Sequence, residues 1–368
     1  MAKLRSSAYF MFGLVLSFIL LFSMWLHYFW HQYFYNQIPG SAYLFLIGYL
    51  LMPVGLAISR SKWNKKLILI SWLAYIWMGF FFILSAFSFV YIFADLAWPE
   101  IDNHRTGFFY ALLAITLYSL YWGTRRPSVI FEKVKTQIKE FQGLKFVQIT
   151  DLHVGLLHQN KSWLKNVVES CNQQDPDFLF LTGDLVEGSF QDVKPMLESL
   201  KSAKAKVAKI YISGNHEMIH GGLAWEACLK DLGWTVLHNQ NQIYKVNQKR
   251  ILIAGVPDKM INRFDKSAYS KPDQALSTTE AVDYKILLAH EPSSVFDLKN
   301  EKPDLLLSGH THGGQIFPFG FLVRLVQPVV SGWKTINDIK VFAHPGTGLW
   351  GPPMRLGTRN SIYVFEMI

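Results

Sequence analysis

The first third of the chain is almost continuously apolar, and the remainder is mixed. Four apolar runs come first: Ala8–Trp30, Ala42–Ile58, Leu67–Phe93 and Gly107–Gly123. A helix needs roughly 20 residues to cross the hydrocarbon of a bilayer. The first and third runs reach that length; the second and fourth are shorter but carry no charged residue. This pattern predicts a four-helix transmembrane region over residues 1–123. The first run is too long for a removable export signal, and no small-residue cleavage site follows it. His27 and His31 sit among Trp25, Tyr28 and Trp30 at its outer end, so they read as part of an interfacial aromatic belt rather than as a haem pair.

Beyond residue 123 the hydrophobic residues come in strand-length runs between turn residues. They fall at Val129–Ile138, Leu144–Thr150, Asp177–Asp184, Val207–Glu217, Tyr284–His290 and 304–312, with helical patterns near Ser162–Asn172 and Val193–Ser202. Five of these runs end alike. One leads into Asp151-Leu152-His153 and the next ends in Gly183-Asp184. The third ends in Gly214-Asn215-His216-Glu217, the fourth in His290, and the last in Gly309-His310-Thr311-His312.

In α/β architectures the carboxyl ends of adjacent strands form the edge where ligands bind. A single Asp after a strand is ordinarily a turn or cap residue. Five deliveries of Asp, His and Asn call for another explanation. Carboxylate oxygen and imidazole nitrogen suit Mn, Fe, Zn or Co, and the lack of Cys in the set argues against a structural zinc site. Two such ions, roughly 3.5–4 Å apart, form the clamp that hydrolyses phosphate esters.

Charge then orients the chain. Lys3 and Arg5 precede the first apolar run, Arg60, Lys62, Lys65 and Lys66 lie between the second and third, and Arg125 and Arg126 follow the fourth. The two intervening loops are poor in Lys and Arg, so the positive-inside rule places both termini and the polar region in the cytoplasm. The formal net charge of +9 therefore reflects topology in part, and no nucleic-acid module accompanies it. Cys171 and Cys228 have neither metal-site nor disulfide-framework spacing, which fits a reducing compartment.

The five motifs together resemble the calcineurin-like metallophosphoesterase superfamily, and the resemblance runs from about Val129 to the C-terminus. It implies two mixed β-sheets sandwiched between helices, and hence a four-helix transmembrane region (1–123) followed by a cytoplasmic α/β metallophosphoesterase domain (124–368). It implies two divalent metal ions, one held by Asp151, His153 and His312, the other by Asn215, His290 and His310, with Asp184 bridging. His216 would be the catalytic histidine, stabilising phosphoryl oxygens or protonating the leaving oxygen. Glu217 is expected nearby but not as a ligand. "GHTHGGQI", the downstream "GTGLWGPPMRLGT" (Gly346–Thr358) and the apolar front are similar to a bacterial membrane-anchored subgroup. It includes phosphodiesterases resembling YkuE and YaeI and a chlamydial enzyme that splits UDP-2,3-diacylglucosamine. Four spans depart from the short anchor or export signal common there.

Further candidates follow from position. His220 lies close to His216 and is a candidate substrate contact. Gln315–Val330 is unusually apolar after a glycine turn. It reads either as a strand of the sandwich or as an apolar lip beside the metals that touches lipid. Arg324 within it would meet a phosphate or headgroup. Arg355 either reaches the site or locks the final turn. His158, His238 and His344 read as non-ligands. The expected partner is a membrane lipid or lipid-linked phosphate, with no nucleic acid and no protein partner. The expected location is the bacterial cytoplasmic membrane. A soluble phosphoester substrate, with the helices as anchor only, and a membrane sensor module remain the alternatives.

Overall fold

Hydrophobic residues on the two faces of paired sheets organise the polar part of the chain. The computed structural model describes residues 41–59, 64–98, 105–263 and 269–368. The first apolar run, with His27 and His31, lies outside the described residues.

Among the described residues three helices come first: α1 (Ser41–Ser59), α2 (Asn64–Ala97) and α3 (Arg105–Thr124). Among the described residues one stretch, Leu67–Tyr91 of α2, is both long and apolar enough to cross a membrane; the apolar part of α1, Leu46–Ile58, is shorter. Pro53 lies inside α1, and α3 mixes Thr, Ser and four Tyr or Trp residues into its apolar run. Of the three expected spans that fall among the described residues, one qualifies, so the four-helix region is not confirmed.

The chain divides into two compact units, Met1–Asp102 and Asn103–Ile368. Sequence composition puts the boundary at 123/124 instead. The difference arises because α3 ends against the domain. Ser119 O accepts from Arg355 N at 2.8 Å, and Asn360 Nδ2 donates to Gly123 O at 2.7 Å. Gly123 packs so tightly that a Cβ there would lie 2.3 Å from Pro353 O.

In the second unit β1 (Ser128–Val134), β2 (Lys145–Ile149), β3 (Phe178–Thr182), β4 (Ala208–Ile212), β5 (Thr235–Val236) and β12 (Ser361–Met367) make one mixed sheet, in the order β1-β12-β2-β3-β4-β5. The second sheet orders β10 (Gly332–Ile336), β11 (Ile339–Ala343), β9 (Leu305–Ser308), β8 (Tyr284–Leu288), β7 (Lys249–Gly255) and β6 (Gln240–Val246). β2, β3 and β4 run parallel, as do β7, β8 and β9.

The strands alternate in period 2 between two cores. Phe146, Phe178, Phe180 and Ile210 meet Ile253, Ile286, Leu305 and Phe342 between the sheets. Val147, Leu179, Leu181 and Tyr211 face the other way, onto Leu164, Val167 and Val168 of α4 (Lys161–Asn172) and onto Trp225 and Leu229 of a helix at Ala224–Asp231. Asn160 caps α4 by accepting from Ser162 N and Trp163 N. Leu252, Leu287, Leu306 and Val341 cover the outer face of the second sheet with Leu276 and Val295. The result is two mixed sheets between helical layers, as expected.

Other boundaries moved. The first strand is shorter than Val129–Ile138, and the pattern at Val193–Ser202 is a 3-10 helix, Lys194–Ser202. The run at Val207–Glu217 is β4 followed by a short helix, α5 (Asn215–Ile219). Gln315–Val330 contains no strand: it follows a turn at 312–314 and forms a short helix, Gly320–Val323. Its large residues do not alternate between a buried and an exposed face, which a sandwich strand requires.

Candidate metal centre

The five strand ends converge on one edge. β2, β3 and β4 bring Asp151, His153, Asp184, Asn215 and His216, while β8 and β9 of the other sheet bring His290, His310 and His312. The backbone there is unusual. Asp151, His153, Asp184, His310 and His312 all have φ between 42 and 67°, a left-handed conformation costing about 1–2 kcal/mol per non-glycine residue. Such strain gathers where side chains must be aimed. Gly183 makes the approach possible: its φ is +91°, and a Cβ there would lie 2.5 Å from His290 Nδ1.

Among the described residues three groups of potential ligating atoms each lie within 4.8 Å, Asp151–His153–His312, Asp184–His290–His310 and His153–Glu187–His216. The first two consist of the motif residues, and the third is a carboxylate shared between two histidines. In the first, His153 Nε2 lies 3.1 Å from His312 Nε2, and His312 Nε2 lies 3.4 Å from Asp151 Oδ1. In the second, His290 Nε2 lies 3.1 Å from Asp184 Oδ2, and His310 Nδ1 lies 3.1 Å from Asn215 Oδ1. Asp184 Oδ2 also lies 3.9 Å from His153 Nε2, so one carboxylate faces both clusters. Ligands about 2.1 Å from one ion and at 90–110° to each other are about 3.0–3.4 Å apart.

The hydrogen bonding fits divalent ions. His290 Nδ1 lies 2.7 Å from Thr182 O. A carbonyl only accepts, so this nitrogen carries the proton. In the neutral ring Nε2 then presents a lone pair to the Asp184 carboxylate, and Nε2 has no hydrogen-bond partner. Two acceptors in contact require positive charge between them, which a second ring proton supplies without metal and a divalent ion would supply in its place. His153 is similar: Nδ1 faces Glu187 Oε2 at 3.2 Å, leaving Nε2 toward His312. Asp151, His153, His290 and His312 are all buried. Burial pushes Asp151 up and His312 well down. Burial, reinforced by the nearby charge of His290, lowers His310 to about 4, so its ring is a neutral donor. Burial also pulls His290 down, but the Asp184 carboxylate outweighs it and holds the ring well above its ordinary range.

His216 is brought beside this centre, its ring 4.5 Å from that of His153. Its Nδ1 lies 2.7 Å from Glu187 Oε2. Burial lowers its pKa, but Asp184 and Glu187 together raise it to about 9. His220 Nε2 lies 3.3 Å from Glu187 Oε1. Glu187, absent from the motif set, therefore holds three histidines. Burial pushes its carboxyl up, yet the hydrogen bonds from His153, His216 and His220 hold it well below the usual range. The available signal was an acid three residues after Asp184 in an otherwise apolar turn. An isolated parallel bridge, Val154 to Val186, brings its segment alongside that of His153, and the two side chains meet diagonally. Glu217 is no ligand: it accepts from Asp184 N, Leu185 N and Gly214 N, and burial raises it to about 7.

The remaining candidates separate. Arg355 is fully buried, and its guanidinium donates to His312 O, Pro345 O and Gly348 O at 2.6–2.7 Å and to Asn360 Oδ1 at 2.8 Å. It locks the C-terminal loop onto the metal-site turn and leaves no donor fork for a substrate. Arg324 is exposed on the apolar segment, with its guanidinium 5.9 Å from the Phe321 ring centre. His344 is buried, and burial lowers it to about 3. Trp350, missed in the sequence, is exposed and stands 6.4 Å from the His216 ring. Gln315 fixes its backbone in both directions.

The sequence profile described as calcineurin-like phosphoesterase matches residues 144–314, a span that contains every residue of both clusters. An uncharacterized metallophosphoesterase of Helicobacter pylori J99 is 34% identical over 266 residues, covering 72% of this chain and 70% of that one. The uncharacterized metallophosphoesterase YkuE of Bacillus subtilis is 28% identical over 238 residues, covering 62% and 80%. A Danio rerio protein described as a transmembrane protein with metallophosphoesterase domain is 28% identical over 262 residues, covering 68% and 59%. With that likeness joined to two clusters facing one carboxylate, the chain belongs to the calcineurin-like phosphoesterase family and is a metal-dependent phosphoesterase with a centre for two divalent ions.

Proposed function

We propose that the enzyme hydrolyses a phosphodiester or pyrophosphate bond of a lipid-linked substrate at the cytoplasmic face of a membrane. A UDP-diacylglucosamine-like molecule is the sharpest form. The observation that carries this reading is the segment directly after His312. Phe321, Leu322, Leu325 and Val326 are 58%, 57%, 81% and 73% exposed, an apolar surface that a soluble substrate does not need. The base of the segment is tied to the metal loops. Thr311 Oγ1 donates to Val330 O, and Gln327 bonds both Ser293 N and Glu291, next to His290. The apolar α2 and the relatives described as transmembrane proteins support membrane attachment. The Lys and Arg pattern supports a cytoplasmic N-terminus and domain in a multi-pass protein of the cytoplasmic membrane.

The chemistry supplied by a bound pair of divalent ions is polarisation of the phosphoryl oxygens and activation of water. Asp151, His153 and His312 would hold one ion, Asn215, His290 and His310 the other, and Asp184 would touch both. His216 has Nδ1 on Glu187, which leaves Nε2 to give a proton to the leaving oxygen. Asp184 Oδ1 accepts from His216 N at 2.9 Å and so sets the start of α5. His220 and Trp350 border His216 and in this reading would contact the substrate.

The test uses detergent-solubilised full chain with UDP-2,3-diacylglucosamine, a water-soluble nucleotide diester and bis-p-nitrophenyl phosphate. The proposal expects the lipid-linked substrate to be preferred. It also expects Leu325→Asp with Val326→Asp to remove that preference while sparing the chromogenic diester. Equal turnover of lipid-linked and soluble substrates, unchanged in the double variant, would favour a soluble substrate with the helices as anchor only.

A further inference from the structure

A cleft of about 1000 Å³ opens on the domain next to the metal-site turn. It shares Gly313 and Gly314 with the metal-site turn, but no residue of either metal cluster lines it. One wall is aromatic, with Tyr118 and Trp122 from the end of α3 and Phe317 and Phe321 from the exposed segment. The charge is one-sided. Arg324, Lys334, Arg355 and Arg359 line the cleft, and no Asp or Glu does among the described residues.

Arg355 is committed to carbonyls, but the other three cations are exposed at the mouth. None forms an ion pair among the described residues. Arg359 lies 4.1 Å from the Trp122 ring centre, Arg324 rests near Phe321, and Lys334 Nζ donates to Pro328 O. Three cations without a counter-charge beside an aromatic wall fit an anionic amphiphile. Its phosphate would meet the guanidinium and ammonium groups and its chains the rings. The mouth continues into the exposed Leu322, Leu325 and Val326, the side chains that enter the acyl boundary of an interface. Aromatic rings and long cationic side chains both favour the headgroup level of a bilayer.

We infer that this cleft is a second binding site, specific for the phosphate headgroup of an anionic bilayer phospholipid, which seats the domain on the membrane beside the metal centre. The inference rests on the membrane reading above, but it is independent of which bond the metal centre cleaves. The phospholipid is bound and not hydrolysed, so the site carries no reaction.

Binding of a fluorescent phosphatidylglycerol to the full chain in neutral detergent micelles tests this directly. The wild-type protein should bind it saturably and about tenfold more tightly than the matching phosphatidylcholine. Lys334→Glu and Arg324→Glu should each weaken phosphatidylglycerol binding about tenfold and leave phosphatidylcholine binding alone. Lys334→Glu should keep the wild-type rate on bis-p-nitrophenyl phosphate, which separates loss of this site from failure of the metal centre. Unlabelled phosphatidylglycerol should displace the probe far better than inorganic phosphate. Equal binding of the two lipids, undiminished binding in both variants, or equal displacement by inorganic phosphate would each overturn the proposal. The headgroup and phosphate comparisons are made on the wild-type protein, so they stand whether or not either variant folds.

Discussion

Asp184 and His290 meet with Oδ2 and Nε2 3.1 Å apart, although the proton of His290 is held on the far side of the ring by Thr182 O. A buried lone pair against a buried carboxylate is repulsive until a proton or a metal ion stands between them, and a divalent ion would displace the proton that Asp184 otherwise holds on the ring. The same oxygen faces His153 of the other cluster. This pairing sets one carboxylate between the two groups, so two ions held there would share Asp184.

Glu187 orders His153, His216 and His220 through one carboxylate. Glu187→Gln keeps the shape but removes the charge that fixes the histidine tautomers. The expected outcome is a fall in kcat of about 10–100-fold with both ions retained, the usual scale for a group that orients ligands. Steady-state kinetics beside elemental analysis checks it. Unchanged kcat would show that His216 needs no such support.

Gly183→Ala places a methyl group 2.5 Å from His290 Nδ1 at φ +91°. Either the backbone or His290 must move. Stability should fall by about 2 kcal/mol, and the metal content should drop with it. A variant with wild-type melting temperature and two ions would contradict the tight approach of β3 to β8.

Arg355→Lys leaves several buried carbonyls with one short donor in place of a fork. At about 1–3 kcal/mol per orphaned group, the melting temperature should fall by roughly 6–12 °C. A raised KM for phosphoesters at an unchanged melting temperature would instead make Arg355 a substrate contact.

Truncation separates the two candidate domain boundaries. Removing residues 1–102 should leave a folded domain that binds metal and cleaves a chromogenic diester. Removing 1–123 also takes Trp122 from Arg359 and Gly123 O from Asn360, and should cost about 5 °C or more. Equal melting temperatures would return the boundary to 123/124.

Much of this architecture was legible in the sequence because strands and ligands share one signal. Apolar runs ending in Asp, His or Asn mark both the parallel strands and their active edge. β6, β7, β10 and β12 end in no such residue and are not legible this way. β5 and β11 also went unassigned, although His238 lies two residues past β5 and His344 directly follows β11. Glu187 was missed because its role depends on the Val154–Val186 bridge, which aligns residues more than 30 positions apart. The segment after Gly314 read as strand or lip because its composition is apolar throughout. The helix-and-turn backbone and the exposure of Leu325 and Val326 exclude the strand; the lip belongs to the proposed function. The 123/124 boundary followed composition, whereas the packed unit follows the bonds from Ser119 and Gly123 to the last loop.

The most direct test of the dinuclear centre is turnover of bis-p-nitrophenyl phosphate by the full chain, with bound metal measured on the same sample. The account predicts two divalent ions per chain, turnover that chelation abolishes and added Mn, Fe, Zn or Co restores, and at least about a 100-fold loss with fewer ions in Asp184→Asn. Folded protein that carries two ions per chain yet hydrolyses no member of a phosphoester panel would contradict it.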